Sequence, residues 1–334
     1  MSITVTDFGL TSKGQAAKLY TITNQNGCQA QFTDYGAIWV NVKVPAADGP
    51  LDMLQHFDSS AGYETDMGHH GSPIGRVANR IAGAGPAFIL NGRTYPLPAT
   101  DQGYGQDINL HSGPNYYDKR LYQTEPDEQD NSIRFSLFSP HMDQGYPGNL
   151  KLAVTYQLTD DNTVKISYDA VCDKDTLFNM TNHAYFNLNG QGTIWQHRLW
   201  IDSTRYTESV DCVPTGRILP VADTRFDYTK ERPVENFLDD NWCQEPHHCL
   251  EKPRIRCTGD QTGIALEVHT DLPGFQLYTS PDAPGAWKGS MTNAICFESQ
   301  FYVNAVNIDN PEFEKPILKA GEPFHSETWY HFIF

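Results

Sequence analysis

Ala37-Ile38-Trp39-Val40-Asn41-Val42-Lys43-Val44 is the stretch that decides the fold. Ile38, Val40, Val42 and Val44 recur at every second position, which puts them on one side of an extended chain and predicts a half-buried strand. The same period runs through Ile133-Arg134-Phe135-Ser136-Leu137, Leu152-Ala153-Val154-Thr155-Tyr156 and Val164-Lys165-Ile166-Ser167-Tyr168. Between such runs stand turn formers: Ala47-Asp48-Gly49-Pro50, Asn91-Gly92, Asp160-Asp161-Asn162 and Asn189-Gly190. The last three read as hairpin connections, because Asn, Asp and Gly tolerate the left-handed backbone that tight turns need. Helical periodicity is scarce, and the best window follows Ser59-Ser60, where serine N-caps a short piece from Ala61 to Thr65. The pattern predicts an all-β chain folded as one large antiparallel β-sandwich, with Ile38, Val40, Val42, Leu152, Val154 and Ile166 buried. No repeat, low-complexity tract or linker-like composition interrupts residues 1–334, so one domain is expected.

Length and charge narrow the function. A chain of 334 residues buries a large core, and it exceeds ordinary single-domain size unless the fold is an all-β sandwich or barrel. With 41 acidic against 24 basic residues the net charge is −17, which repels nucleic-acid backbones and anionic membranes. No apolar run approaches the roughly 18 residues that span a bilayer, and Met1-Ser2-Ile3-Thr4-Val5-Thr6-Asp7 has neither the basic nor the apolar region of a secretory signal. A cytoplasmic protein, monomer or homodimer, with no nucleic-acid or membrane partner is the expectation. Its seven cysteines, at 28, 172, 212, 243, 249, 257 and 296, are odd in number and form no CxxC pair, which predicts free thiols. His69-His70 and His247-His248 lack the companion ligands of a zinc site and read as surface or loop histidines. With no phosphate-cradling GxxxxGK[ST] loop either, neither metal nor other cofactor is expected.

Chemistry concentrates at Thr181-Asn182-His183-Ala184-Tyr185-Phe186-Asn187-Leu188, where a histidine sits among amides and hydroxyls between strand-like segments. Imidazole is the side chain whose two protonation states lie closest in free energy near neutral pH, so a positioned His183 can move protons. If 178–183 is extended, Asn179, Thr181 and His183 share one polar side. In Ile295-Cys296-Phe297-Glu298 the same alternation sends Phe297 to a core and Glu298 to the opposite face. Far away in sequence lie Gly75-Arg76-Val77-Ala78-Asn79-Arg80-Ile81, Asn109-Leu110-His111-Ser112-Gly113, Pro273-Gly274-Phe275-Gln276-Leu277-Tyr278-Thr279 and Cys296-Phe297-Glu298-Ser299-Gln300.

Taken together, in this order and spacing, these segments resemble the aldose 1-epimerase (galactose mutarotase) family. The resemblance extends from about Gly36 to the C-terminus and includes Gly145-Tyr146-Pro147-Gly148-Asn149-Leu150 and Val213-Pro214-Thr215-Gly216. It implies a β-supersandwich whose concave face holds a sugar, and interconversion of the α and β anomers of a free aldohexose such as galactose or glucose. By resemblance, Glu298 is the general base toward O1 and His183 the general acid toward O5. His111, Asn79, Arg80, Asp239 and Gln276 match sugar-binding positions, with Asp240 an alternative to Asp239. The resemblance is imperfect where Ser112 replaces a glycine and where Tyr302 replaces a tryptophan, a change that implies a wider groove rim and leaves the preferred sugar open. A hexose-6-phosphate mutarotase, for which Arg76, Arg80 and Arg93 offer cations, and a non-catalytic sugar-binding protein on the same scaffold are the alternatives.

Overall fold

Alternation of Val, Ile and aromatic residues with polar ones produces antiparallel sheets that share one apolar interior. The computed structural model describes residues 2–334 except 48, 104, 235–236, 246–247 and 283–287. Asp48 of the expected turn at 47–50 and His247 of the second histidine pair therefore lie outside the described residues.

Among the described residues the largest sheet has nine strands, in the order Gln123–Asp127, Ser132–Ser139, Leu150–Leu158, Thr163–Cys172, Phe324–Ile333, Ala265–Thr270, Ile255–Thr258, Arg198–Ile201 and Arg232–Pro233. A five-stranded meander, Ser2–Leu10 to Leu51–Asp52, packs against it. A second five-stranded sheet, here the central sheet, runs Val213–Pro220, Arg205–Val210, Asp239–Cys243, Gly274–Thr279 and Ile295–Gln300. The one α-helix described is Ser60–Thr65. Ser59 is its N-cap in extended backbone, as expected, but its side chain makes no capping hydrogen bond.

The large sheet follows the sequence alternation closely. Ile133, Phe135, Leu152, Val154, Tyr156, Val164, Ile166 and Tyr168 all enter the main core. Asn91-Gly92, both with positive φ, closes the hairpin Ala87–Leu90/Arg93–Pro96, and the turn at 160–162 joins Leu150–Leu158 to Thr163–Cys172. Asn189-Gly190 does not make a hairpin. It turns the chain into Gln191–Gly192, which pairs in parallel with Ser290–Met291 from a distant segment. Local turn chemistry fixed the bend there, while tertiary contacts chose the strand partner.

A bulge revises the reading of 37–44. Ile38, Val40, Val42 and Val44 are all buried, but they do not share a face. Gln31 pairs with Asn41 while Phe32 pairs with Trp39, leaving Val40 as the extra residue. An extra residue reverses the side-chain alternation on either side of it. Ile38 and Val40 consequently face a small cluster with Phe8, Tyr35 and Tyr63, and Trp39 joins Val42 and Val44 in the main core.

That switch matters for the site, because Trp39 heads a column of rings crossing the interior. Its ring meets Tyr330 of the large sheet at 5.2 Å and Phe186 at 5.6 Å; Phe186 in turn meets Phe297 of the central sheet at 5.6 Å. The Tyr330 hydroxyl donates to the Phe297 carbonyl at 2.9 Å. Truncating a ring such as Phe297 to alanine would cost about 3–5 kcal/mol. Phe186 lies just beyond His183 in sequence and Phe297 just before Glu298, so the core that stabilises the sandwich also fixes both backbones.

Candidate active site

His183 follows the short strand Thr181–Asn182, which pairs with Pro73–Ile74. Its N–H donates to the Ser72 carbonyl and its carbonyl accepts from Gly71 N–H, each at 2.9 Å. Asn182 points away from the site, toward the Gly71 carbonyl and the Tyr156 hydroxyl, so the segment is polar on both sides. Across the groove, Glu298 stands on the Ile295–Gln300 strand with Phe297 on the reverse face, as the alternation predicts. Glu298 Oε1 lies 3.7 Å from His183 Nε2. Cys296, on the same strand face as Glu298, places its Sγ 3.5 Å from His183 Nδ1.

His111 and Asn79 form the next wall. Both have left-handed backbone, φ 52° and 62°, and each donates its N–H to the other, His111 to the Asn79 carbonyl at 2.9 Å and Asn79 to His111 Nδ1 at 3.1 Å. An N–H donated to Nδ1 requires that nitrogen to be bare, so a neutral His111 carries its proton on Nε2. Ser112 also has positive φ, at 59°, and its buried hydroxyl donates to the Val77 carbonyl while accepting from Val77 N–H. Those bonds offset the backbone strain that a glycine would avoid.

Arg80 donates to Asn79 Oδ1 at 3.1 Å and to Asp239 Oδ2 at 3.3 Å. Asp239 also accepts from Gln276 Nε2 at 2.6 Å. Asp239 lines the groove, whereas Asp240 pairs with Arg225 at 2.9 Å. Together Asn79, Arg80, His111, His183, Asp239 and Glu298 line a groove of about 180 Å³. Gln276 is paired in register with Glu298, so it stands on the same sheet face; it is buried and steadies Asp239 through its Nε2.

Several expectations need correction. His69 and His70 are loop residues but are buried, not on the surface. His69 lines the groove with its Nδ1 2.9 Å from Asp118, and His70 stacks on Tyr185 with ring centroids 4.0 Å apart. Flanking Gly68 and Gly71 were the available signal, since glycines on both sides let a polar loop pack closely. Tyr185 and Tyr278 also line the groove; nothing in their local pattern distinguishes them from core tyrosines. Tyr302 is buried against Phe313 and Gly274, off the rim, so it does not set the groove's width. Arg76 is fully buried, donating to the Pro147 carbonyl and to Ser139, and Arg93 stacks on Tyr95 of its hairpin. Of the three arginines, Arg80 alone reaches the groove.

Burial dominates the electrostatics. It pushes the Glu298 carboxyl well above the usual carboxylate range, assisted by Asp239 and opposed by Arg80. It pushes the His183 imidazole down to about 3, with His69 and His70 adding to the effect. His111 is likewise held well below its ordinary value by burial, then by His69 and His183. Burial thus favours the uncharged form of both members of the Glu298–His183 pair, which titrate as a coupled unit rather than as two independent groups. Among the described residues no set of three or more His, Cys, Asp or Glu is disposed to bind a metal ion, and no helix is long and apolar enough to cross a membrane.

The antiparallel sheets thus enclose a buried carboxyl–imidazole pair in a polar groove. The aldose 1-epimerase family model matches residues 18–331. The chain is 34% identical to an aldose 1-epimerase of Haemophilus influenzae, over 96% of both chains, and 37% identical to a galactose mutarotase of Sus scrofa, over 84% of both. The crystal structure of a GalM/aldose epimerase homologue from C. elegans superposes with a TM-score of 0.84 at 29% identity, covering 94% of this chain and 98% of that one. The chain belongs to the aldose 1-epimerase family and is an isomerase of that class.

Proposed function

We propose that the chain interconverts the α and β anomers of a free aldohexose, galactose or glucose, with Glu298 as base and His183 as acid. The observation that carries this reading is the 3.7 Å approach of Glu298 Oε1 to His183 Nε2 inside the groove. O1 and O5 of a pyranose are both bonded to C1, so a base for one and an acid for the other must approach the same edge of the ring. Two groups this close can bridge that edge.

Before a sugar binds, burial favours the proton on Glu298. A sugar that donates O1–H to the carboxylate and accepts at O5 from the imidazolium stabilises the alternative arrangement, with the proton on His183. That exchange alters neither net charge nor proton count. Glu298 then takes the O1 proton as His183 protonates O5; the C1–O5 bond breaks and O1 becomes the aldehyde oxygen. After rotation about C1–C2, His183 removes the O5 proton, O5 attacks the other face of C1 and Glu298 returns its proton to O1. His111, donating from Nε2, supports negative charge on the ring oxygen. Asn79, Arg80 and Asp239, the last held by Gln276, bind the remaining hydroxyls through planar donors and acceptors.

The geometry favours a neutral sugar over a hexose 6-phosphate. Among the described residues Arg80 is the groove's one cationic side chain of the Lys/Arg type, and Asp239 already pairs with it. The reading takes the chain as one domain over 1–334, supported by a main core that draws residues from Tyr20 to Phe332. All seven cysteines are free thiols, which suits a cytoplasmic setting. Polarimetry on freshly dissolved α-galactose and α-glucose tests the proposal: the protein should accelerate decay of optical rotation well beyond the buffer rate, and failure with every free aldohexose would refute it.

A further inference from the structure

The wall that carries the acid continues past it. Glu298 stands 3.7 Å from His183, the His183 ring meets that of His111 at 5.5 Å, and the His111 ring meets that of His69 at 5.4 Å, all four lining the same groove. A pyranose has a matching order of atoms along one edge. O1 and O5 flank C1, and O5 is bonded in turn to C5, which carries the hydroxymethyl group of an aldohexose. With Glu298 at O1 and with His183 and His111 at O5, His69 comes next, where the C5 substituent lies.

The chemistry of His69 suits one hydroxyl. Its Nδ1 lies 2.9 Å from Asp118 Oδ2, and Asp118, 1% exposed, is also held by the Ser72 hydroxyl and by Lys119 Nζ, each at 3.2 Å. Burial pulls the Asp118 carboxyl up, but His69 and then Lys119 outweigh it and leave it below its ordinary value. An ionised carboxylate only accepts, so His69 carries a proton on Nδ1. That leaves Nε2 for the groove. It accepts a hydrogen bond when the ring is neutral and donates one when the ring is charged, and a hydroxyl answers either. Met67, two residues earlier in the chain, lines the same groove and is 70% exposed. A soft apolar thioether beside a polar ring nitrogen matches a group that is itself a methylene bearing a hydroxyl.

The backbone fixes where that nitrogen stands. His69 has left-handed backbone, φ 55°, a conformation that persists in a residue with a side chain only where surrounding contacts hold it. Those contacts lie on both sides. The Tyr185 hydroxyl donates to the Gly68 carbonyl at 2.8 Å, and the Tyr116 ring packs 4.7 Å from that of His69. Gly71 N–H donates to the His183 carbonyl and the Ser72 carbonyl accepts from His183 N–H, each at 2.9 Å. A Cβ on Gly71 would collide with the Trp39 carbonyl, so glycine is what lets the loop come this close. The loop that carries His69 is thereby tied to the segment that carries His183, and their spacing is set by backbone hydrogen bonds.

We propose that His69 is a specificity-determining residue of the groove, taking the hydroxyl on C6 of the sugar through Nε2, with Asp118 as its positioning residue. This rests on the anomer-interconversion reading above. Initial rates by polarimetry on freshly dissolved D-galactose and D-fucose test it, because the two sugars differ only in that hydroxyl. Wild type should favour galactose by at least about tenfold in kcat/KM, the scale of a hydrogen bond whose protein partner the deoxy sugar leaves unpaired. Asparagine tolerates left-handed backbone and can still donate to Asp118, but it puts nothing in the place of Nε2. His69→Asn should therefore bring the galactose-to-fucose ratio to within about twofold of one, and His69→Phe, which keeps a ring without nitrogens, serves if the asparagine variant folds poorly. The ratio is taken within each variant, so a general loss of active protein does not move it. Equal kcat/KM for the two sugars in wild type overturns the assignment while leaving the mutarotase reading intact, and so does a variant that keeps the wild-type ratio. Turnover of neither sugar by wild type overturns the underlying reading instead.

Discussion

Replacing Glu298 with glutamine should abolish activity and stabilise the protein, with both effects measurable on one sample. The amide has the shape of the carboxyl but cannot accept the O1 proton, and loss of a positioned proton-transfer group lowers kcat by at least about 10²-fold, or about 2.7 kcal/mol. Stability follows from burial. Glu298 is 2% exposed, and its Oε2 accepts no hydrogen bond from any described residue. Burial raises its folded pKa well above the unfolded value of about 4.3. A group with a raised folded pKa contributes stability that is fully present below the unfolded pKa and is lost as pH rises toward the folded one. In that window each pH unit removes about 1.4 kcal/mol from the wild type and nothing from the glutamine variant. A 334-residue chain unfolds with an entropy of about 0.7 kcal/mol/K, so the Tm gap in favour of Glu298→Gln should widen by about 2 °C per pH unit above about pH 5. Differential scanning calorimetry from pH 5 to 8, beside polarimetry, reads both. Near-wild-type mutarotation by the folded variant would remove Glu298 from the base role, and a Tm gap that stays constant with pH would refute the buried, proton-retaining carboxyl.

The pH–rate profile should show the same coupling. Because burial holds His183 at about 3 and lifts Glu298, kcat/KM should stay flat through pH 6–7 and fall on the alkaline side as the pair loses its single proton; an inflection near 6.5 would contradict this. Arg80→Ala removes a donor that faces hydroxyls rather than the reacting edge, so KM for galactose should rise at least about tenfold with kcat changed much less. An equal fall in kcat at unchanged KM would place Arg80 in the chemistry. Arg76→Leu should leave several buried acceptors unpaired, the Pro147 carbonyl among them, and cost about 3–5 kcal/mol, read as a fall in urea midpoint. A midpoint within error of wild type would show the buried network to be dispensable. Dialysis against a chelator should leave anomer interconversion unchanged, and activity restored by zinc after its loss would send attention back to the buried His69 and His70.

Sequence alone determined the strand periodicity of 133–137, 152–156 and 164–168, the hairpins at Asn91-Gly92 and 160–162, and the opposed faces of Phe297 and Glu298. Each is set within a few residues, by the two-residue repeat of a strand or by the φ a turn demands. The groove's His183, His111, Arg80 and Glu298 were legible as well, through four motifs whose order matched a known family. What tertiary structure decided lay beyond that range. Val40 became a bulge because Phe32 and Gln31 pair on either side of it, and this sent Trp39 rather than Ile38 to the ring column behind the site. Asn189-Gly190 bent as its residues require but led to a strand partner 99 residues further on, since pairing is chosen by the whole sheet. His69 and His70 looked like loop histidines in a polar stretch, and only packing against Asp118 and Tyr185 buried them. Asp239 and Asp240 are indistinguishable in sequence, yet strand pleating turns one toward Arg80 and its neighbour toward Arg225. The shifted titration of His183 and Glu298 arises in the same way, because desolvation is a property of the assembled groove and of no local segment.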